Sequence, residues 1–138
     1  MKLATIVCSI AIGGLWLVGC PSDDDDDTTV EECPTAETPT ADIIQPSNTA
    51  QFESGVEVQF VAKVDDDLDT SQSLETHWYD ALYLEPEEFP APAPDANGEM
   101  RFAKSDFENG IHTLTLEVFD SDGCRGEDKI VINVGAER

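Results

Sequence analysis

Apolar and polar residues alternate along most of the second half of the chain. The alternation runs through residues 56–64, 74–78 and 111–119, and Ile130, Ile132 and Val134 repeat it near the C-terminus. Met100 and Phe102 form a shorter element of the same kind. Because successive side chains of a strand point to opposite faces, this period of two predicts five strands, each with one face on a core.

Turn-forming residues separate these predicted strands. Asn97-Gly98, Asn109-Gly110 and Asp122-Gly123 each pair a turn former with glycine. No stretch of residues 41–138 shows the sustained period of 3.6 that an amphipathic helix requires. Short strands at this spacing predict an all-β, antiparallel sandwich over residues 41–138, a length at which one small domain folds.

Four motifs follow one another in this predicted domain. An acidic loop at 65–69 is followed by Leu74 and Trp78, then by Gly-Ile-His-Thr-Leu-Thr-Leu-Glu-Val at 110–118 and Asp-Ser-Asp-Gly at 120–123. This order is similar to that of the PKD-type, immunoglobulin-like domains of bacterial surface proteins. The resemblance covers residues 43–134 and implies the fold, but sandwiches of this kind serve many functions.

The resemblance also implies roles for single residues. Trp78 is expected to fill the core between the sheets, with ligand stacking as the alternative. His112 is expected to be structural, with metal ligation as the alternative, and His77 is expected to be solvated on the opposite face. Residues 85–94 depart from the family pattern, since four prolines there predict a polyproline-like edge loop.

Residues 1–19 are interpreted as a secretory signal. The uncharged run that follows Lys2 is shorter than the about 20 residues of a membrane-spanning helix and is followed by acidic residues. Leu17-Val18-Gly19-Cys20 resembles the bacterial lipobox, which implies cleavage before Cys20 and lipid on its thiol. The alternative is an ordinary signal cut elsewhere. Pro21 and Ser22 follow the cysteine, where the family's inner-membrane signal is aspartate, so the outer membrane is the favoured location.

Residues 20–40 are predicted to form a disordered, acidic tether. Asp23 to Asp27 are five consecutive acids, and ordinary apolar residues are nearly absent. Removing residues 1–19 takes away Lys2, one of seven bases, and leaves six bases against 30 acids, a net charge of −24. That charge argues against nucleic acid and anionic lipid headgroups as partners, although it is also a common means of staying soluble.

Two cysteines remain once Cys8 is removed with the signal and Cys20 is lipidated. Cys33 and Cys124 form an even pair in an exported chain, which favours a disulfide over two free thiols. In the sandwich that the resemblance implies, Cys124 lies in the turn between the last two strands. The first strand starts at that same end, so Cys33 could fold back to it.

Five aspartates make a candidate calcium site. They fall in two loops expected at one end of the sandwich, and hard oxygen ligands from adjacent loops are what calcium needs: Asp65, Asp67, Asp69, Asp120 and Asp122. The alternative is that these carboxylates accept hydrogen bonds from their own backbone as turn formers. Apart from this possible Ca²⁺, the sequence predicts no cofactor.

The chain has no recognisable catalytic motif, so it is predicted not to be an enzyme. Gly-x-Ser-x-Gly, His-Glu-x-x-His and Gly-rich phosphate loops are missing from the sequence. The favoured function is a surface lipoprotein, held on the membrane by Cys20, whose domain is a binding or spacer module for protein or polysaccharide. The alternative is an accessory lipoprotein subunit of a cell-envelope or secretion assembly.

Overall fold

The computed structural model describes Cys33 and residues 38–135. The predicted signal, Cys20 and most of the predicted tether lie outside these residues. The described chain forms eight strands and one 3-10 turn, Ser71–Ser73: β1 Thr40–Gln45, β2 Ala50–Phe52, β3 Val58–Asp65, β4 Glu75–Ala81, β5 Pro86–Phe89, β6 Glu99–Lys104, β7 Gly110–Phe119 and β8 Arg125–Val134.

The strands pack as two sheets of an immunoglobulin-like sandwich. One sheet has the order β1-β3-β6, and the other has the order β2-β8-β7-β4-β5. All neighbouring strands are antiparallel except β2, which runs parallel to β8. The all-β, antiparallel fold class predicted from the sequence is therefore confirmed. In the described part of the chain, no helix is both long enough and apolar enough to cross a membrane.

Trp78 lies at the centre of the core between the sheets, as the sequence predicts. It is 1% exposed, and its ring meets Phe60 and Phe102 edge to face at centroid distances of 5.4 and 5.3 Å. Such aromatic contacts stabilise a core beyond simple burial. The inward face of β7 packs on the same cluster, with all four predicted side chains buried: His112, Leu114, Leu116 and Val118.

The structure corrects the prediction of a polyproline-like loop at residues 85–94. Residues Pro86–Phe89 form β5, the edge strand that pairs with β4, and Phe89 lies opposite Trp78. Pro86 is tolerated because it is the first residue of an edge strand, where a missing N–H removes no central ladder bond. Phe89 packs against the core, and this burial fixes a segment that proline content alone assigned to a loop.

The two ends of the sandwich differ in what they carry. Glu75 pairs with Phe119 and Ala81 pairs with Thr113, so β4 and β7 run in opposite directions between the ends. We call the end with the β7–β8 turn, residues 120–124, the disulfide end. We call the other, with the β4–β5 turn at 82–85 and the β6–β7 loop at 105–109, the cleft end. The ten residues of β7 separate the two by about 30 Å.

Candidate functional site

Cys33 and Cys124 form a disulfide at the disulfide end, which confirms the pairing predicted from the sequence. Their Cα atoms are 5.6 Å apart, and the bond closes a sequence separation of 91 residues. Cys124 is buried, and its N–H donates to Asp120 Oδ1 at 2.8 Å. The bridge therefore fixes Cys33 to the β7–β8 turn.

The two predicted calcium loops meet at this end through one hydrogen bond. Ser121 N donates to Asp69 Oδ2 at 2.8 Å, and this backbone donor holds the pKa of Asp69 below its usual value. Asp120 Oδ1 accepts from Asp122 N and Cys124 N at 2.9 and 2.8 Å. Asp120 therefore serves as a turn former, whereas Asp69 links the two loops.

The predicted calcium ligands do not come together as a ready cluster. Among the described residues there is no group of three or more His, Cys, Asp or Glu side chains placed to hold a metal ion. Asp65, Asp67 and Asp122 are exposed. Asp66, which the sequence analysis left out, accepts from Leu68 N and Asp69 N, while its Oδ2 is buried with no partner. The calcium site stays a prediction.

A cleft of about 470 Å³ opens at the cleft end. One wall comes from β4, β5 and the turn between them: Asp80, Leu82, Tyr83, Glu85 and Glu87. The other wall comes from the end of β6, the β6–β7 loop and the start of β7: Lys104, Asp106, Glu108 and His112. The cleft therefore forms between the two sheets at the edge where β5 and β6 are their outermost strands.

His112 lies in the cleft wall and is held from both sides. It is 1% exposed, with Nδ1 2.8 Å from Asp80 Oδ1 and Nε2 2.8 Å from the Glu108 carbonyl oxygen. Because a carbonyl oxygen only accepts, Nε2 carries a hydrogen and donates. Both ring nitrogens are thus occupied, which leaves His112 no free lone pair for proton transfer or metal binding and fits its expected structural role.

Lys104 is the other basic group of the cleft, and it is also engaged. Its Nζ pairs with Asp106, which lowers the pKa of that carboxyl group, and lies 4.7 Å from the centre of the Phe107 ring. The remaining carboxylates, of Glu85, Glu87 and Glu108, have no ion pair within residues 38–135. The cleft therefore carries surplus negative charge.

Tyr83 and Leu84 form an exposed apolar lip on the β4–β5 turn. They are 78% and 93% exposed, and Leu84 has a φ of 125°. A positive φ is rare for a branched residue and costs free energy, so the surrounding turn must hold it. Leu82 anchors the turn below, packed so closely over Gly110 that a Cβ there would lie 2.6 Å from Leu82 Cδ1. No sequence pattern marks this lip, because single apolar residues in a turn have no periodicity.

His77 lies on the outer face of the same hairpin and is less solvated than expected. Its side chain is 27% exposed, with Nδ1 2.7 Å from Glu88 Oε1 on β5 and Nε2 3.2 Å from Glu75 Oε1. The hydrogen bond with Glu88 is the main cause that raises the pKa of His77. His77 therefore ties the edge strand β5 to β4.

Comparison with known proteins supports the fold but identifies no family. No protein-family model and no curated protein matches the chain. Solved structures similar to it include the superoxide reductase (neelaredoxin) of Ignicoccus hospitalis and a variant of that reductase. They are 15% and 14% identical, with TM-scores of 0.54 and 0.55, and the alignments cover 72% of this chain and 83% and 82% of theirs.

An engineered protein is similar at 14% identity and a TM-score of 0.53. The alignment covers 72% of this chain but only 20% of the engineered one, so this chain spans a fifth of that protein. Identities this low show the fold alone. Since two of these structures carry the name of an enzyme, the fold does not itself separate binding modules from enzymes. The comparisons therefore support the fold of this chain and no particular function.

Proposed function

We propose that this chain is a lipid-anchored cell-envelope protein whose PKD-type, immunoglobulin-like domain is a non-catalytic binding module. The observation that carries the proposal is the position of the cleft. The cleft and its Tyr83–Leu84 lip lie at the opposite end of the sandwich from Cys124. A domain tethered at its disulfide end would present the cleft to partners on the side away from the membrane.

The anchoring part of the proposal rests on the sequence Leu17-Val18-Gly19-Cys20. Lipid on Cys20 would hold the chain at a membrane, and Pro21 favours the outer one. Cys33, which lies within the predicted tether, is bonded to Cys124 at the disulfide end. Cys33 and the cleft therefore lie at opposite ends of the described domain, an arrangement that would suit display if Cys20 carries lipid.

The proposal that the domain is non-catalytic rests on the carboxylate partners of the two basic groups in the cleft. His112 and Lys104, its two basic groups, are each paired with a carboxylate of the cleft, Asp80 and Asp106. A general base needs a free lone pair at the substrate, and His112 offers none. We therefore expect no hydrolase activity from the purified chain in a broad substrate screen.

A site-specific cross-link in living cells tests the binding module. A photo-crosslinking amino acid at position 83 of the full chain should trap a partner on illumination. The matched control is the same group at position 68, since Leu68 is also an exposed apolar residue but lies in the 65–69 loop of the disulfide end. Equal trapping at 68 and 83, or none at 83, would contradict a binding site at the cleft.

The same experiment separates the two functions considered from the sequence. A dispersed set of products that varies with growth conditions supports a display module. One product of fixed mass that captures most of the chain supports the accessory subunit of an envelope or secretion assembly instead.

A further inference from the structure

The cleft and its lip place an acidic surface and an apolar surface side by side. Tyr83 lines the cleft and, with Leu84, projects almost fully into solvent. Exposed apolar side chains that border a concave, polar-rimmed surface are typical of sites where a protein partner docks. Leu84 has a positive φ although its side chain is exposed, so no buried contact of this side chain offsets the backbone strain.

The charges of the cleft define what the partner must carry. Within the described chain, the only basic side chains at the cleft wall are Lys104 and His112, and each already has a carboxylate partner. Three carboxylates of the cleft therefore have no cationic partner in the described chain, those of Glu85, Glu87 and Glu108. A partner that places guanidinium or ammonium groups among them would form charge-assisted hydrogen bonds in a partly water-excluded space.

We propose that the cleft docks a basic, partly apolar segment of another protein. An apolar side chain of the segment would pack on Tyr83 and Leu84, while a neighbouring Arg or Lys would enter the cleft between Glu85, Glu87 and Glu108. This deepens the proposed function and depends on it, since it names the partner class of the same site. A neutral glycan would leave the carboxylates uncompensated, and an anionic membrane surface would be repelled by them.

Fluorescence anisotropy with defined probes tests this proposal on the full chain in nonionic detergent at 150 mM NaCl. The probes are a labelled 12-residue peptide of alternating leucine and arginine, the same peptide with glutamine in place of arginine, and labelled chitohexaose. The structure predicts saturable binding of the arginine peptide, at least about tenfold weaker binding of the glutamine peptide, and none of the glycan.

Two sets of charge-neutralising substitutions separate a docking site from general attraction to an acidic protein. Glu85→Gln, Glu87→Gln and Glu108→Gln together should weaken binding of the arginine peptide about tenfold or more. The matched control, Asp65→Asn with Asp67→Asn and Asp122→Asn, removes the same charge from the disulfide end and should change affinity about twofold or less. Both triple variants are checked for an unchanged melting temperature.

The lip is tested separately from the charge. Tyr83→Ser with Leu84→Ser should weaken binding of both peptides by a similar factor, whereas the lip control Leu68→Ser should not. Equal loss from the two charge triples, tight binding of the glutamine peptide, or saturable binding of chitohexaose at the cleft would each overturn the proposal. If the cleft triple leaves affinity intact while position 83 still cross-links in cells, the partner class is wrong but the binding module stands.

Discussion

Asp80 Oδ1 lies 2.8 Å from His112 Nδ1, and this pair joins the wall of the cleft to the core of the sandwich. His112→Leu should therefore destabilise the domain by about 2 to 4 kcal/mol, because it leaves the half-buried Asp80 carboxyl group and the Glu108 carbonyl without their hydrogen-bond partner. Urea unfolding followed by tryptophan fluorescence measures the change.

The pairing itself is tested by a double-variant cycle with Asp80→Ala. The combined variant should cost clearly less than the sum of the two single changes, since each removes the same hydrogen bond. His77→Leu, on the same strand as Asp80, is the control and should cost less than about 1 kcal/mol, as exposed pairs contribute little. Simple additivity would show that Asp80 and His112 do not depend on one another.

His77 predicts a pH dependence of stability above neutrality. Its pKa is raised above the usual 6.5, mainly by the hydrogen bond with Glu88, so the folded state favours the protonated ring. The stabilising contribution is complete below pH 6.5 and is lost as pH rises through the raised pKa. Because the groups are partly exposed, the effect should stay below about 1 kcal/mol.

Urea midpoints between pH 5.5 and 8.5 measure this effect. His77→Gln and Glu88→Gln should each flatten the decline of stability with rising pH, whereas Glu53→Gln, an exposed carboxylate in the loop after β2, should leave it unchanged. A decline that is the same in all four proteins would assign the pH dependence to other groups.

The disulfide should contribute strongly to stability. Closing a loop with a separation of 91 residues corresponds to about 4 to 5 kcal/mol in the chain-entropy model, although strain often reduces the measured value. Cys33→Ser and Cys124→Ser should therefore lower stability by similar amounts, and the double variant by no more than either alone. Mass spectrometry of non-reduced digests should show the two peptides joined; alkylatable thiols at both positions in protein from the cell envelope would contradict the bond.

The calcium prediction can be tested by thermal melting. If the aspartates of the disulfide end bind Ca²⁺, saturating calcium should raise the melting temperature by about ten degrees more than sodium at matched ionic strength. Asp67→Asn with Asp122→Asn should remove the calcium-specific part. Equal shifts in both salts would leave these carboxylates with backbone hydrogen-bonding roles of the kind seen at Asp69 and Asp120.

The anchor is tested by Cys20→Ser in the full chain. The wild type should incorporate labelled palmitate and remain with membranes after a carbonate wash, because two or more acyl chains hold a protein durably. The variant should accumulate as unlabelled precursor. Normal cleavage of the variant, together with wild-type protein that carries no lipid, would contradict the lipobox interpretation.

The strands of the core were predictable because burial forces a period of two on the sequence. The inward residues of β7 follow from that pattern, whereas the core position of Trp78 was expected from the resemblance to PKD-type domains. The short strands β1, β2 and β5 were not identified from it: β2 has three residues, and the prolines beside β5 obscure a strand that only Phe89 fixes to the core. Alternation is a weak signal over three to six residues.

The disulfide was predictable although its cysteines are 91 residues apart. Pairing Cys33 with Cys124 needed the number of cysteines, which the sequence supplies, and the strand arrangement that the family resemblance implies. The cleft joins β4 to the β6–β7 loop and the start of β7, and no local motif marks the contact of Asp80 with His112, 32 residues away. Asp66 was missed for a different reason: among consecutive aspartates, nothing in the sequence shows which carboxylate caps the turn.

If Cys20 carries lipid, the disulfide would also limit how far the domain can stand from the membrane. From Cys20 to Cys33 there are 13 residues, which span at most about 45 Å when fully extended, whereas the 20 residues to Thr40 would span about 70 Å. A lipid-held chain with the bond intact would thus have its reach cut by about a third. Reduction of the disulfide would restore the longer reach. The redox state of the surroundings would then decide the greatest distance from the membrane at which the cleft meets its partner.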